Sequence, residues 1–302
     1  MVFRYTPYDG AKRPFTVGLE PVDFSRWLDP DQDLVAHLKR KAQLLETVHS
    51  RVFRAEAGTE EAQSEVLDLL IADLGAHHRS THSVSADAVE VLEGGPKVRL
   101  ADFAPLEAAS RLVQEDLVLM RKGEDGYRLA AASLCFPSSW SLAEKFGQSM
   151  HGIHDNVPGF NDGRMGQVVA RIFDNLTSEQ LVGRYNWSIY DDPDLHHPQA
   201  KQLAPQIEET GAGALAHLFV RVERQTLRRL PKSGDILFTI KIHHDPIPLL
   251  KSHERGAELA AGLAAQLRDL DDRQVAYKGL TQYRRAIATE LENLAPSAPE
   301  AV

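Results

Sequence analysis

The apolar residues of this chain change their spacing twice, and that change constrains the fold more than any other feature of the sequence. They fall first at Leu34, Leu38, Ala42, Leu45, Val48 and Val52, one stripe of a helix over Leu34 to Phe53 that Asp29-Pro30-Asp31 opens. A second helix follows the capping signal Thr59-Glu60-Glu61, with Ala62, Val66, Leu69, Leu70 and Leu74 as its buried face. From about Ala86 the period becomes two. Val89-Glu90-Val91 and Val98-Arg99-Leu100 read as short strands around the turn Glu93-Gly94-Gly95-Pro96, and Glu115–Arg121 and Tyr127–Cys135 as a hairpin joined by Lys122-Gly123-Glu124-Asp125-Gly126. Tyr185–Tyr190, Ala216–Leu227 and Asp235–His243 are three further strand-like runs, after which helical spacing returns over Glu254–Leu270 and Gln274–Leu294. An antiparallel sheet between helical ends is an α+β arrangement.

The aperiodic, Pro- and aromatic-rich stretch Arg4–Trp27 is expected to wrap another surface as an extended arm. No repeat or Gly/Ser-rich linker divides the chain, so one domain is expected across 1–302: arm and helices over 1–85, sheet core over 86–245, helices over 246–294 and a frayed tail over 295–302.

Composition removes several function classes. Lys and Arg number 34 against 43 Asp and Glu, a formal charge of −9, which argues against a dedicated nucleic-acid binder. No apolar run reaches the roughly 18–20 residues that span a bilayer, and Met1–Asp9 lacks the blocks of a signal peptide, so a cytoplasmic protein off the membrane is expected. Cys135 is the single cysteine, which excludes an internal disulfide, a CxxC pair and a cysteine-held iron–sulfur cluster. Any electrons must come from outside or from an organic or haem cofactor. GxGxxG, GxxxxGK[ST], GxSxG and HExxH are absent, and Gly211–Ala216 fits the looser GxGxxA form but precedes a strand where a dinucleotide loop follows one, so it reads as a turn.

The densest chemical signal runs from Phe136 to Pro158. Pro137 stops the preceding strand, Ser138 or Ser139 can cap a short helix containing Glu144, and Gly147 can end it. His151 and His154 follow. On a helix they share a face and could reach one metal; on irregular backbone one acts alone, and without a third ligand nearby zinc is a weak reading. His77-His78, His196-His197 and His243-His244 are adjacent pairs whose side chains diverge in a strand, so surface or loop roles are expected, with His243 the exception. The strand Phe219–Leu227 is polar on both faces: Arg221, Glu223 and Gln225 alternate with Val222, Arg224 and Thr226. Either a salt-bridge ladder faces solvent or one set lines a polar cavity.

Several motifs in one order carry a resemblance: Pro14-Phe15-Thr16-Val17-Gly18-Leu19, Trp27-Leu28, Phe136-Pro137-Ser138-Ser139-Trp140 with Glu144-Lys145, Ile153-His154-Asp155-Asn156-Val157-Pro158, Arg184-Tyr185-Asn186-Trp187 and Arg221–Pro231. From about Pro14 to Leu291 the chain resembles the haem-dependent oxidative N-demethylase alpha-subunit family. The resemblance implies a PAS-like antiparallel sheet holding haem b, with additional N- and C-terminal helices. It implies oxygen-dependent demethylation of a small methylated amine such as dimethylamine, giving formaldehyde. FMN, an iron–sulfur cluster and folate are then expected on partner subunits, with electrons from an NADPH-dependent flavin/iron–sulfur reductase, in a homo- or hetero-oligomer.

Carried over by residue, His154 is the proximal ligand of the haem iron, its tautomer fixed by Asp155 or a backbone carbonyl, with His151 the fallback and Lys145 grouped with the cofactor-binding residues. Arg221 is the hydrogen-bond donor for dioxygen and Glu223 the acceptor for the amine cation. Tyr185 and Trp187 share a face of a neighbouring strand and either line the amine pocket or belong to the sheet core, and whether the strand presents Arg221 and Glu223 or Arg224 to the pocket is a question of parity. The competing reading is a haem-PAS gas or redox sensor without turnover. The C-terminal helices carry no sustained heptads to pass on a signal, which tilts the reading towards an enzyme.

Overall fold

The computed structural model describes residues 2–294 apart from 12, 202, 204–212 and 214. The tail expected to fray, and all of Gly211–Ala216 except Gly213, Leu215 and Ala216, lie outside the described residues.

The strands are β1 (Glu20–Pro21), β2 (Phe53–Ala55), β3 (His82–Val84), β4 (Ala88–Val91), β5 (Lys97–Arg99), β6 (Asp116–Gly123), β7 (Gly126–Ser133), β8 (Leu181–Tyr190), β9 (Phe219–Arg229) and β10 (Ile236–Pro246). Seven of them form the main sheet in the order β1-β8-β9-β10-β6-β7-β2, every pair antiparallel. The early short strands do not join it: β3, β4 and β5 make their own three-stranded sheet. The β6–β7 hairpin turns through Glu124 and Asp125, and Gly126 after them takes φ +92°, the left-handed position that follows a type I turn and that glycine fills without strain.

The helices are α1 (Leu34–Thr47), α2 (His49–Val52), α3 (Glu60–His77), α4 (Pro105–Ser110), α5 (Leu142–Lys145), α6 (Met150–Ile153), α7 (Met165–Asn175), α8 (Gly256–Asp269), α9 (Asp272–Tyr277) and α10 (Arg284–Glu292). Two expected helices are broken. Val48 leaves helical geometry at φ −136°, ψ 36°, and the chain turns so that Phe53 can pair with Ser133 as the first residue of β2. The last helical pattern splits at Lys278-Gly279, where Gly279 adopts φ +66°.

Register decides which side chains share a face. Trp187, Val222 and His243 stand side by side on one face, and Asn186, Glu223 and Ile242 on the other. The first face is covered at one end by α8 and α10 and at the other by α3 and α4. The N-terminal arm runs over the same layer, burying Tyr8 against Trp187 and adding β1 to the edge of β8. The second face is covered only in part, by α1, α2 and the segments around α5 to α7, and a cavity remains between them and the sheet.

Candidate active site

A bulge shapes the floor of that cavity. Leu119 pairs with Ala131 but Met120 pairs with Leu129, so Ala130 is skipped and Leu129 joins Met120 and Val118 on the cavity side. Beyond β2 the edge of β7 is open, and the chain after α5 takes it. Leu129 N donates to Gln148 O at 3.1 Å and Gly147 N donates to Leu129 O at 2.9 Å. This hooks the approach to α6 onto the sheet and sets the wall opposite the floor.

Local capping builds that wall. Ser141, rather than Ser138 or Ser139, caps α5 in a reciprocal box with Glu144, and Ser149 caps α6. His154 closes α6 at its C-terminal end, and its Nδ1 lies 2.8 Å from Met150 O. A carbonyl only accepts, so Nδ1 carries the proton and Nε2 keeps its lone pair in the neutral ring. Burial pushes the imidazole pKa down to about 4, so the ring is neutral at ordinary pH. Its plane is set by Phe160, which stacks on it at 3.9 Å and 9°. His151 is exposed and does not line the cavity; its carbonyl accepts from Asn161 Nδ2. Lys145 does line it, with Nζ 3.4 Å from Gly152 O, whereas Asp155 is exposed and bonds its backbone N–H to Gly152 O.

The cavity measures about 570 Å³, within the range of sites that enclose small organic ligands. Its middle is apolar, between Leu227, Phe238 and Ile240 on the sheet and Val157, Met165 and Phe173 above. Its polar side is the parity answer: Arg221, Glu223, Gln225 and Leu227 of β9 line it, next to Arg184, Asn186 and Ser188 of β8.

Arg221 is fully buried. Its Nη2 donates to Phe136 O, Pro137 O and Leu195 O at 2.9, 3.3 and 3.0 Å, its Nε donates to Ser138 Oγ at 2.9 Å, and Tyr190 lies 5.1 Å from the guanidinium. Burial lowers its pKa, and Nη1 is left buried without a hydrogen-bond partner among the described residues. Glu223 Oε2 accepts from Gln225 Nε2 at 2.7 Å and from Asn186 Nδ2 at 3.4 Å, which aims the carboxylate along the sheet.

Two other expected residues are not brought to the cavity. Arg224 projects from the opposite face, where it donates to the carbonyls of Arg26 and Trp27, and Tyr185 beside it is exposed and stacks on Tyr5 at 4.9 Å. Trp187 borders the cavity, but its indole is turned to the helical layer and donates Nε1 to Gln266 Oε1 at 2.8 Å.

The structure adds cations that the sequence reading left without a role. Lys278 ends α9, donates to Trp187 O at 2.5 Å, and has its pKa lowered to about 8 by burial. Lys201 donates to Ser188 Oγ at 3.1 Å and to Ile189 O. Arg184 stood inside a quoted motif but carried no assignment. Nothing in the local spacing marked Lys278 or Lys201 as cavity residues.

The adjacent histidines fare variously. His196 and His197 are half-buried rather than solvated, held by Cys135 O at 2.8 Å and Asp194 O at 2.6 Å. His243 is buried on the far face, 3.4 Å from Asp29 Oδ2, and His244 has both ring nitrogens buried without a partner among the described residues. No group of three or more His, Cys, Asp or Glu among the described residues could hold a metal ion by itself. A haem iron asks less of the protein, since the porphyrin supplies four ligands and one axial imidazole suffices. His154, with a free Nε2 beside an apolar cleft, fits that demand. No helix of the described residues is long and apolar enough to cross a membrane. A protein-family model described as haem-dependent oxidative N-demethylase, alpha subunit-like, matches residues 18–288.

Proposed function

Because the chain belongs to the haem-dependent oxidative N-demethylase alpha subunit-like family, we propose that it removes a methyl group oxidatively from a small methylated amine such as dimethylamine. The observation that carries this reading is His154 at the cavity wall. Its proton is committed to Met150 O, its plane to Phe160, and its Nε2 is left to ligate iron. His154 and the apolar walls would hold haem b in a PAS-like sheet, and the haem would supply reductive activation of dioxygen, using electrons from a separate reductase.

The residues of this chain have three tasks around it. Glu223, fixed by Gln225 and Asn186, accepts a hydrogen bond from the ammonium of the amine and holds its methyl group in the apolar cleft. Arg221 offers Nη1 to negative charge that develops on oxygen, and its other bonds to backbone carbonyls keep it from swinging away. The apolar wall limits water. Hydroxylation at the methyl carbon gives a carbinolamine, which collapses to formaldehyde and the shortened amine. FMN, an iron–sulfur cluster and a folate site belong to partner subunits in this scheme, and a cytoplasmic, NADPH-fed reductase supplies the electrons.

The visible spectrum of the purified protein with haem, ferric and reduced, with and without dimethylamine, tests the reading. A Soret band that His154→Ala abolishes or shifts strongly, and that dimethylamine perturbs in the wild type, supports it. A band responsive to gases and indifferent to every small methylamine would overturn it in favour of a sensor.

A further inference from the structure

The cavity is far more cationic than a site for an ammonium substrate needs to be. Lys145, Arg184, Lys201, Arg221 and Lys278 line it, against the carboxylates of Glu144 and Glu223. Most of these cations are occupied by the fold itself. Arg221 holds three carbonyls, Lys201 and Lys278 each hold a carbonyl of β8, and Lys145 leans on Gly152 O.

Arg184 is different. It stands on the cavity face of β8, opposite Gln225, half-buried, and its Nε is shielded from water with no hydrogen-bond partner among the described residues. Among the described residues it makes no ion pair either. Burial already lowers its pKa, with Glu223 the only carboxylate acting against that. A guanidinium stripped of water on one side and left unpaired costs free energy that an anion in the cavity would return. Its planar fork matches a carboxylate with two parallel N–H···O bonds.

We propose that Arg184 is the carboxylate anchor of this cavity, gripping an acid group on whatever planar or amine ligand the cleft encloses. The inference rests on the functional reading above for the two sources it considers: the propionates of the haem, or a carboxylate on the amine itself, as in an N-methylated amino acid. Arg184 positions its ligand and takes no part in bond making.

The test separates the sources and does not depend on iron ligation. Metal-free protoporphyrin IX and its dimethyl ester are titrated into wild type, Arg184→Lys and Arg184→Met, with quenching of tryptophan fluorescence as the readout. Thermal shifts with N-methylglycine and with dimethylamine are measured in parallel. If propionates are the source, the free acid binds wild type about ten- to a hundredfold tighter than Arg184→Met, as expected for loss of a charge-assisted pair, and the ester erases the difference. If the substrate carboxylate is the source, porphyrin binding is indifferent to the substitution and N-methylglycine loses its shift in Arg184→Met. Arg184→Lys falls between, and the comparison of acid with ester in wild type needs no variant to fold. The inference is overturned if neither carboxylate ligand distinguishes wild type from Arg184→Met. Failure of the haem reading shows separately, as iron-porphyrin binding that ignores His154.

Discussion

The imidazole of His154 lies flat on the ring of Phe160, centroids 3.9 Å apart and planes 9° from parallel. Stacking fixes the ring's plane while Met150 O fixes its proton, so both the direction and the basicity of Nε2 are settled before a ligand arrives. Phe160→Leu keeps apolar bulk but removes the stack. We expect a folded protein whose haem dissociates several-fold faster, followed by transfer to apomyoglobin. A wild-type dissociation rate would show that the stack is irrelevant to ligation.

Arg221 has a structural duty as well as a proposed chemical one. Its guanidinium joins Phe136 O, Pro137 O and Leu195 O, which belong to two segments far apart in the chain. Arg221→Met leaves these buried carbonyls without their donor, at a cost of about 1–3 kcal/mol for each acceptor left unsatisfied. Chemical denaturation should show this as a lower midpoint with an unchanged slope. A loss under about 1 kcal/mol would mean that water replaces the guanidinium readily.

Acid sensitivity follows from His244. Burial, with the Arg221 charge next in order, pushes its pKa down to about 3 from the ordinary 6.5. Between these values the unfolded chain holds a proton that the folded protein excludes, so stability rises with pH there by up to about 1.4 kcal/mol per pH unit and is level above pH 7. His244→Phe removes the titrating ring while keeping its contact with Phe219, whose centroid lies 4.6 Å away. The variant should match or exceed wild-type stability at pH 7, because the ring nitrogens it loses had no partner, and should lose less between pH 6.5 and 4. Parallel stability curves for the two proteins would contradict the assignment.

The N-terminal arm is held by close approach at one glycine. A Cβ added to Gly262 of α8 would stand 2.6 to 2.8 Å from the backbone of Asp9, so Gly262→Ala must displace the arm. Overpacking of this kind costs about 1–3 kcal/mol, and the freed arm should be cut by trypsin at Arg4 sooner than in wild type. Equal cleavage rates would show that the arm is already loose.

The sheet was legible where a local rule sufficed. The β6–β7 hairpin and the three long strands after it stand where period-two spacing puts them, and the capped segment that carries His154 was visible as Pro, Ser and Gly punctuation. The breaks at Val48 and Lys278-Gly279 were not, because each answers a demand from elsewhere: Phe53 must reach β7, and Lys278 must reach Trp187 O. Assigning Tyr185 to the pocket went astray by one residue of parity, since Arg184, Asn186 and Ser188 of that strand face the cavity, while Trp187 borders it with its indole turned to the helical layer.

Strand alternation is a property of the backbone, so the sequence by itself determined that Arg221, Glu223 and Gln225 share one face while Val222, Arg224 and Thr226 share the other. It also determined the α+β class and the single cysteine. Which face meets the cavity was decided only by tertiary structure. Both faces of β9 are polar, and Arg224 satisfies its charge on the carbonyls of Arg26 and Trp27, nearly two hundred residues earlier in the chain. A burial pattern can be read locally only when one face is plainly apolar. Here the partner that makes each charge tolerable is supplied by the folded chain, and no spacing within β9 encodes it.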